Sequence, residues 1–325
     1  MNYRDLGKTG IKVSEIGFGC WAIGGNTYGQ SYGPTNDKES TEALNKAVDL
    51  GLNFFDTADV YGRGHSEELL GKALKGKRDR LVIATKVGAD FYQGAGFQTF
   101  TEEYIRFALE KSLLRLKTDY IDVYQLHNPP LRLLNREDLY EPLRQLKEEG
   151  KIRAWGVSVF TPVEGMTALN VGKPDCLQVT YNIFSFRPEQ QLFHRAFELG
   201  CAIIAREPLA NGFLTGKYES HPQFGPGDFR RNWPVEHIQA RSDAARKLAF
   251  LDHSKLTGRQ QRTLGQAAIK YALSDRAVST AIVGMKTVEQ VEENLAASGK
   301  PSLTLSEIQL IGKLQSSGFQ LPDPI

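Results

Sequence analysis

Short apolar runs alternate along the chain with longer segments whose apolar residues recur every three or four positions, the signatures of buried strands and one-sided helices. The first run, 16–20, follows an opening that reads as a hairpin over 3–6 and 11–14, turning at Lys8-Thr9-Gly10. Ala43, Leu44, Ala47 and Val48 mark a helical face closed by Gly51, and the run 52–55 follows. Leu69, Leu70, Ala73 and Leu74 form the next face behind a Ser66 cap, leading to the run 81–85. Ile105, Ala108, Leu109, Leu113 and Leu116 then lie behind a Thr101 cap and precede the run 120–126. A helix over 139–149 must hold Pro142 in its first turn, because a proline deeper inside would cost about 3 kcal/mol. Runs at 152–157, 176–180, 202–205 and 279–283 continue the beat. Between them, Thr161-Pro162-Val163-Glu164 reads as a capping box with proline at the first helical position, and further helices span 189–199, closed by Gly200, and 263–273. Helices from Thr287 and near 306–314 end the pattern.

Alternating strands and helices that close at eight predict a (β/α)₈ TIM barrel over residues 1–325 as one domain, with an N-terminal β-hairpin and an additional C-terminal helix. An open, doubly wound sheet is the rival. It is disfavoured because no Gly-x-Gly-x-x-Gly turn follows the first strand, as a Rossmann dinucleotide site requires.

Polar residues stand where successive apolar runs end: Asp56 and Tyr61 after Asn53-Phe54-Phe55, Lys86 after the run 81–85, and His127 after Val123-Tyr124-Gln125-Leu126. The carboxyl ends of barrel strands are where chemistry sits. A buried lysine beside a phenol favours phenolate and so lowers the phenol pKa, while a carboxylate beside the lysine holds the ammonium charged. Such a phenol can protonate a developing alkoxide as an imidazole hydrogen-bonds the same carbonyl oxygen, which suits carbonyl reduction if a hydride donor is supplied. Taken singly, each residue has a plainer structural explanation; their joint placement on successive strand ends is what points to a site.

Composition narrows the class. The chain has 325 residues, 41% hydrophobic and 24% charged, as expected of a soluble globular protein. Forty basic against 38 acidic residues leave a net charge of +2 with no basic stripe, so nucleic acid is not an expected partner. The opening residues carry no secretory apolar stretch and no run reaches the ~20 apolar residues of a membrane helix, so a cytoplasmic protein is expected. Cys20, Cys176 and Cys201 lie far apart in apolar surroundings and read as reduced core residues. No metal site and no oligomeric state is indicated.

Over nearly its whole length the chain resembles the aldo-keto reductase superfamily. The resemblance rests on Gly17-Phe18-Gly19 before Trp21, Asn53-Phe54-Phe55-Asp56-Thr57-Ala58 with Tyr61-Gly62, Ser66-Glu67, Ala84-Thr85-Lys86 and Leu126-His127. It continues through Gly150-Lys151-Ile152-Arg153, Gly156-Val157-Ser158, Gln178 with Tyr181-Asn182, Pro208-Leu209-Ala210-Asn211-Gly212, Leu214-Thr215-Gly216-Lys217, and Gln290 with Glu293-Asn294. It implies a catalytic tetrad of Asp56, Tyr61, Lys86 and His127, with Tyr61 as general acid in reduction and general base in oxidation. It also implies NADPH/NADP+ as cofactor, with NADH possible, and a small-molecule aldehyde, ketone or sugar as substrate. Ser158 and Gln178 would hold the nicotinamide carboxamide, and Trp21, Asp56 and Arg206 would border it. The segment with Pro208, Leu209, Gly212, Leu214, Gly216 and Lys217 would cross the pyrophosphate. Gly284 and Lys286, before a helix start with a capping box at Thr287 and Gln290, form an anion site for the 2′-phosphate; Gln290, Glu293 and Asn294 would face the adenine side.

Val159 stands where many members have asparagine, and Arg206 where many have a nicotinamide-stacking tyrosine; a guanidinium plane can also stack on an aromatic ring. Glu207 is its natural ion-pair partner. Substrate contacts fall to Trp21, Tyr28, Tyr61, Phe91 and His127, within loops 22–36, 88–100, 128–134 and 219–237 whose aromatic residues predict an open, aromatic-lined pocket. Asp59 reads as a solvated turn residue and Arg230 as part of a plain surface loop. Two rival functions remain: an NADP-binding regulator resembling potassium-channel β subunits with little turnover, and a Schiff-base aldolase with Lys86 as nucleophile.

Overall fold

The protein is described here by a computed structural model that covers residues 1–28, 31–92, 97–218, 222–257 and 261–321. Portions of three loops expected around the pocket, 29–30, 93–96 and 219–221, lie outside the described residues. The hairpin forms as expected, β1 (Tyr3–Asp5) pairing antiparallel with β2 (Lys12–Ser14). Eight parallel strands then close a barrel: β3 (Ile16–Gly19), β4 (Phe54–Asp56), β5 (Val82–Val87), β8 (Ile121–His127), β9 (Ile152–Val159), β10 (Cys176–Thr180), β11 (Ala202–Arg206) and β12 (Val278–Gly284). A short unanticipated ribbon, β6 (Ala89–Asp90) with β7 (Phe97–Gln98), decorates the loop after β5.

Successive side chains of a strand point to opposite faces, so every second residue enters the barrel. Phe54, Val82, Ala84, Val123, Ala154, Cys176, Ala202, Ile204 and Ile282 form one buried apolar cluster, and Leu6, Ile11 and Val13 from the hairpin pack into it. The hairpin thus plugs the amino-terminal end of the barrel. Outward-facing residues such as Ile83, Tyr124 and Ile203 join a second cluster beneath the surrounding helices. Gly156 sits where an added Cβ would come within 2.5 Å of Cys176 Sγ, so β9 and β10 approach as only glycine allows.

Several predicted boundaries shift. Thr101 caps α3 (Glu102–Leu116), Thr161 and Glu164 form the capping box of α6 (Pro162–Val171), and Pro142 lies in the first turn of α5 (Glu141–Glu148), all as expected. Ser66 does not cap α2 (His65–Ala73), which starts from left-handed Gly64; its hydroxyl instead donates to Cys20 O and meets Thr57 Oγ1, tying the helix to two barrel strands. The helix expected from 189 begins only at Leu192 (α7, Leu192–Leu199); Glu189 ends a separate 3-10 turn over 187–189 and accepts the Tyr181 hydroxyl at 2.7 Å. Helix α8 (Val235–Arg246) was not anticipated: of its buried residues Ile238, Ser242, Ala244 and Ala245, only one is a large apolar side chain. The final helix, α11 (Leu305–Ser316), extends the expected 306–314. The three cysteines are free and buried. Among the described residues no helix is long and apolar enough to cross a membrane, and no cluster of His, Cys, Asp and Glu is placed to hold a metal.

At the hairpin end of the barrel, Asp122 on β8 is fully buried and accepts from the Ile83 N–H while pairing with Arg78 at 2.7 Å and Arg153 at 2.6 Å. Asp122→Ala leaves a buried N–H and two arginines without their acceptor. The expected loss of unfolding free energy is about 3 kcal/mol, read from urea denaturation midpoints; a loss below about 0.5 kcal/mol would show that this carboxylate does not join the three strands.

Candidate active site

Asp56 ends β4, Lys86 lies in β5, and His127 is the last residue of β8, one position inside the strand rather than beyond it. Tyr61 begins a short 3-10 turn in the loop after β4. Lys86 and Asp56 are inward neighbours of the apolar layer formed by Ala84 and Phe54, so the same alternation that fills the barrel lifts them to its mouth. There Lys86 Nζ donates to Asp56 Oδ1 at 2.5 Å, to Thr57 O at 2.9 Å and to the Tyr61 hydroxyl oxygen at 3.3 Å. Gln178 Nε2 and Gln125 Nε2 donate to the other Asp56 oxygen at 2.7 and 3.2 Å. The Tyr61 and His127 rings meet edge to face, with centroids 5.9 Å apart.

Lys86 is fully buried, which disfavours its charge, yet Asp56 and the Tyr61 oxygen outweigh that burial and its pKa rises. For Tyr61 the balance goes the other way from the sequence expectation. Burial raises the phenol pKa, Lys86 pulls it back only in part, and Asp56 adds to the rise. The phenol therefore keeps its proton, the state in which it can act as an acid. Burial, with Lys86 and Arg206 nearby, lowers the His127 pKa to about 3, so the imidazole is neutral. Its Nδ1 is buried and unpartnered within the protein.

Beside this cluster a cleft of about 780 Å³ runs from Ala22 and Tyr32 past the loop after β11 to the start of α10 (Val288–Leu295). Pro208, Leu209, Gly212, Lys217, Gly284, Lys286, Gln290, Glu293 and Asn294 all line it. The loop after β11 is strained: Glu207, Ala210 and Asn211 are left-handed with φ of 58°, 47° and 56°, each costing about 1–2 kcal/mol, and Gly212 follows at 89°. Two lysines, backbone N–H groups and glycines that leave the backbone bare suit an extended, anionic dinucleotide.

Residues 15–316 match the sequence profile of the Aldo/keto reductase family. The chain belongs to that family. The aldo-keto reductase YhdN of Bacillus subtilis is 34% identical over 90% of this chain and 87% of its own length. The L-galactose dehydrogenase of Arabidopsis thaliana is 32% identical over 95% and 93%. Among solved structures, the holo form of the aldo-keto reductase AKR11C1 from Bacillus halodurans superposes with a TM-score of 0.79 at 32% identity, covering 97% of this chain and 96% of the other. The glycerol dehydrogenase AKR11B4 from Gluconobacter oxydans gives 0.80 at 28%, covering 97% and 94%. Aldo-keto reductases work with nicotinamide cofactors on small carbonyl compounds.

Within this aldo-keto reductase, the residues singled out earlier separate into groups. Ser158 donates to Asn128 Oδ1 at 2.9 Å, at the end of the strand beside His127. Arg206 pairs with Glu207 at 2.6 Å, donates to Val159 O at 3.3 Å and lies over the Phe160 ring. Leu214 is fully buried, and Gly216 is left-handed at φ 73°. The capping box expected at Thr287 is only half formed: Thr287 accepts from the Gln290 N–H, but the Gln290 carboxamide reaches past it to the N–H of Lys286. Lys286 Nζ donates to Tyr32 O at 3.0 Å and Pro34 O at 3.4 Å. Trp21, Tyr32 and Phe229 form a three-ring cluster with centroids 4.9 to 5.2 Å apart, beside the cleft. Tyr28 is 59% exposed under Arg63. Phe91 packs on Tyr92, which meets Phe107 of α3, and it does not line the cleft. Asp59 is no solvated turn residue: it is fully buried, and burial with the Glu67 carboxylate holds its pKa well above the usual range.

Gln125, Asn211, Tyr218 and Phe229 were not assigned roles from the sequence. Gln125 was legible, being two residues before His127 and so on the same inward face; the others sit on irregular loops with no period to follow.

The His127 imidazole carries a pH signature. Its native pKa of about 3 lies below the unfolded value of 6.5, so the unfolded chain binds a proton that the native state refuses. His127 therefore supports the fold above pH 6.5 and opposes it increasingly as pH falls towards about 3. In His127→Gln, stability should fall less steeply over that window than in the wild type, by about one proton's linkage; equal slopes in paired urea titrations would mean that the native imidazole protonates normally.

Proposed function

We propose that this protein is a cytoplasmic NADP(H)-dependent oxidoreductase, one barrel domain that reversibly reduces aldehydes or ketones to alcohols. The observation that carries this is the single ammonium of Lys86 bonded at once to Asp56 and to the oxygen of Tyr61, facing a neutral His127. Because Lys86 donates to the phenol oxygen, the proton of Tyr61 remains available for an oxygen in the pocket. A neutral imidazole at His127 can donate one N–H to that same oxygen without competing for its proton. As the alkoxide develops, Tyr61 gives up its proton; Lys86 already sits against the phenol oxygen and stabilises the phenolate, while Asp56 keeps the lysine charged. In the oxidative direction Tyr61 takes the proton back. A bound nicotinamide supplies or accepts the hydride.

Lys217 and Lys286 at the cleft support NADP(H), with the 2′-phosphate at Lys286 and the adenine side at Gln290, Glu293 and Asn294; NADH use is compatible with the same cleft. The backbone is closer to the holo form of its Bacillus halodurans relative, TM-score 0.79, than to the apo form, 0.71, which agrees with a cleft already shaped for its cofactor. Glycerol and L-galactose dehydrogenases among the relatives favour including polyols and sugars as substrates. The raised Lys86 pKa opposes the aldolase alternative, since a Schiff-base lysine must be deprotonated to attack.

Purified protein should oxidise NADPH, followed at 340 nm, with members of a panel of aldehydes, ketones and sugars. Tyr61→Phe should lower kcat by about 10³-fold while NADPH binding, followed by its fluorescence, stays within a factor of about two. Wild-type turnover in that variant would eliminate Tyr61 as the acid. NADPH binding without turnover across the panel would favour the channel-subunit-like regulator, and labelling of Lys86 by borohydride with a carbonyl compound would favour the aldolase.

A further inference from the structure

Arg230 lies outside the catalytic cluster and was expected on a surface loop. Instead it is 7% exposed and lines the cleft. Four of its N–H groups are engaged: Nε and Nη2 form a fork on Asp228 at 3.0 and 2.6 Å, and Nη1 donates to Asn211 O and to the Tyr218 hydroxyl, both at 2.7 Å. The rings of Tyr32, Phe224 and Tyr218 surround the guanidinium, with centroids at 4.9, 4.2 and 5.3 Å. A charge this deeply placed needs its partners, and these come from the long β11–α8 connection and, through Tyr32, from the loop after β3.

The acceptor Asn211 is the centre of the strained stretch of the cleft, where Ala210, Asn211 and Gly212 are consecutively left-handed. Arg230 holds Asn211 by its carbonyl, and the Tyr32 hydroxyl holds it by its side-chain oxygen at 2.7 Å. Backbone in this region persists only where the surroundings determine it. On the other side of the fork, Asp228 bridges to Ser31 and Tyr32, and the Phe229 N–H donates to Ser31 O at 2.9 Å, which fixes Phe229 against Trp21. A Cβ on Gly212 would stand 3.2 Å from Arg230 Nη1, so the guanidinium also limits how that turn can move.

We propose that Arg230 is a positioning residue for the cofactor: it holds the left-handed turn 210–212 in the shape that lines the cleft and joins that turn, through Asp228, to the Trp21–Tyr32–Phe229 wall. This rests on a nicotinamide dinucleotide occupying the cleft. Arg230 acts on binding through the turn and takes no part in proton transfer. Loosening it therefore weakens cofactor binding and leaves the chemical step at saturation largely intact. Relieving the turn's own strain lessens the dependence on Arg230, because glycine adopts the left-handed region freely.

The test measures NADPH affinity by fluorescence, kcat and KM for NADPH, and thermal unfolding, in wild type, Arg230→Met, Arg230→Lys, and Arg230→Met combined with Ala210→Gly. The expected result is a Kd for NADPH raised about tenfold in Arg230→Met with kcat within about twofold at saturation. Arg230→Lys, which keeps the charge but not the fork, should recover only part of the loss, and Ala210→Gly should restore part of the affinity in the Arg230→Met background. If Arg230→Met does not fold, Arg230→Lys and Tyr218→Phe, which keep the residue or its charge, supply the same ratio of Kd to kcat. Wild-type affinity in the folded variants, or a fall in kcat with Kd unchanged, overturns the proposal. Failure of the wild type to bind either NADPH or NADH overturns the dinucleotide assignment itself and this proposal with it; wild-type binding with an unaffected Arg230→Met removes only the role of Arg230.

Discussion

A lysine with no solvent exposure can remain charged only if the barrel supplies a counter-charge and acceptors at fixed positions, and the mouth of this barrel is arranged around that requirement. Asp56 provides the charge, Thr57 O and Tyr61 provide the remaining acceptors, and Gln125 and Gln178 satisfy the carboxylate oxygen that the lysine leaves free. Removing any one partner would leave buried polarity uncompensated, the costly side of an internal ion pair. The pair is therefore weak evidence for stability and strong evidence for a task. Its geometric consequence is that the phenol of Tyr61 is held by its oxygen, with its proton left to face outward.

Much of this was legible because a barrel strand has a strict period of two. Asp56, Lys86, His127, Ser158, Gln178 and Arg206 share the inward parity of Phe54, Ala84, Val123, Ala154, Cys176 and Ile204, and polar residues at inward positions past an apolar layer can only lie at an end of the barrel. The helix starts at Thr101, Thr161 and Thr263 were legible for a similarly local reason, since a cap is decided within four residues. The places where reading failed lack such a rule. Ser66 has the composition of a cap but serves as a tie between strands, a tertiary use that no local pattern reveals. Asp59 looks like a turn residue until α2 and α3 close over it. Helix α8 buries mostly alanine and serine, so its apolar face is too faint to announce itself.

The electrostatic expectation failed for a different reason. Counting neighbours predicts that an ammonium lowers the phenol pKa, and Lys86 does act in that direction on Tyr61. Sequence carries no measure of how little water reaches the phenol, and that desolvation is the larger effect. The same withdrawal of water lowers the imidazole of His127, so one burial acts oppositely on an acid that charges by losing a proton and a base that charges by gaining one. Both end neutral beside a charged lysine. A pocket with a neutral proton donor, a neutral hydrogen-bond donor and a lysine already paired with Asp56 can receive an uncharged carbonyl group without first displacing a counter-ion.

The site is divided mechanically as well as chemically. Asp56, Lys86 and His127 rest on strands, where backbone hydrogen bonds set positions and strain is small, and Tyr61 stands on the short turn after β4. The cleft wall rests on a loop with left-handed residues at 207 and 210–212, whose shape must be imposed from outside. Side chains from other segments impose it, Tyr32 from the first loop and Arg230 from the segment before α8, while within the loop the Asn211 amide donates to Glu207 at 3.3 Å. Lys286 reaches back to the Tyr32 carbonyl, which joins the far end of the cleft to the same first loop. Tyr32 thus connects the aromatic wall at Trp21, the strained turn and the lysine before α10. A shift in any one of these contacts bears on the other two, so the aromatic wall, the strained turn and the far end of the cleft are held as one connected unit.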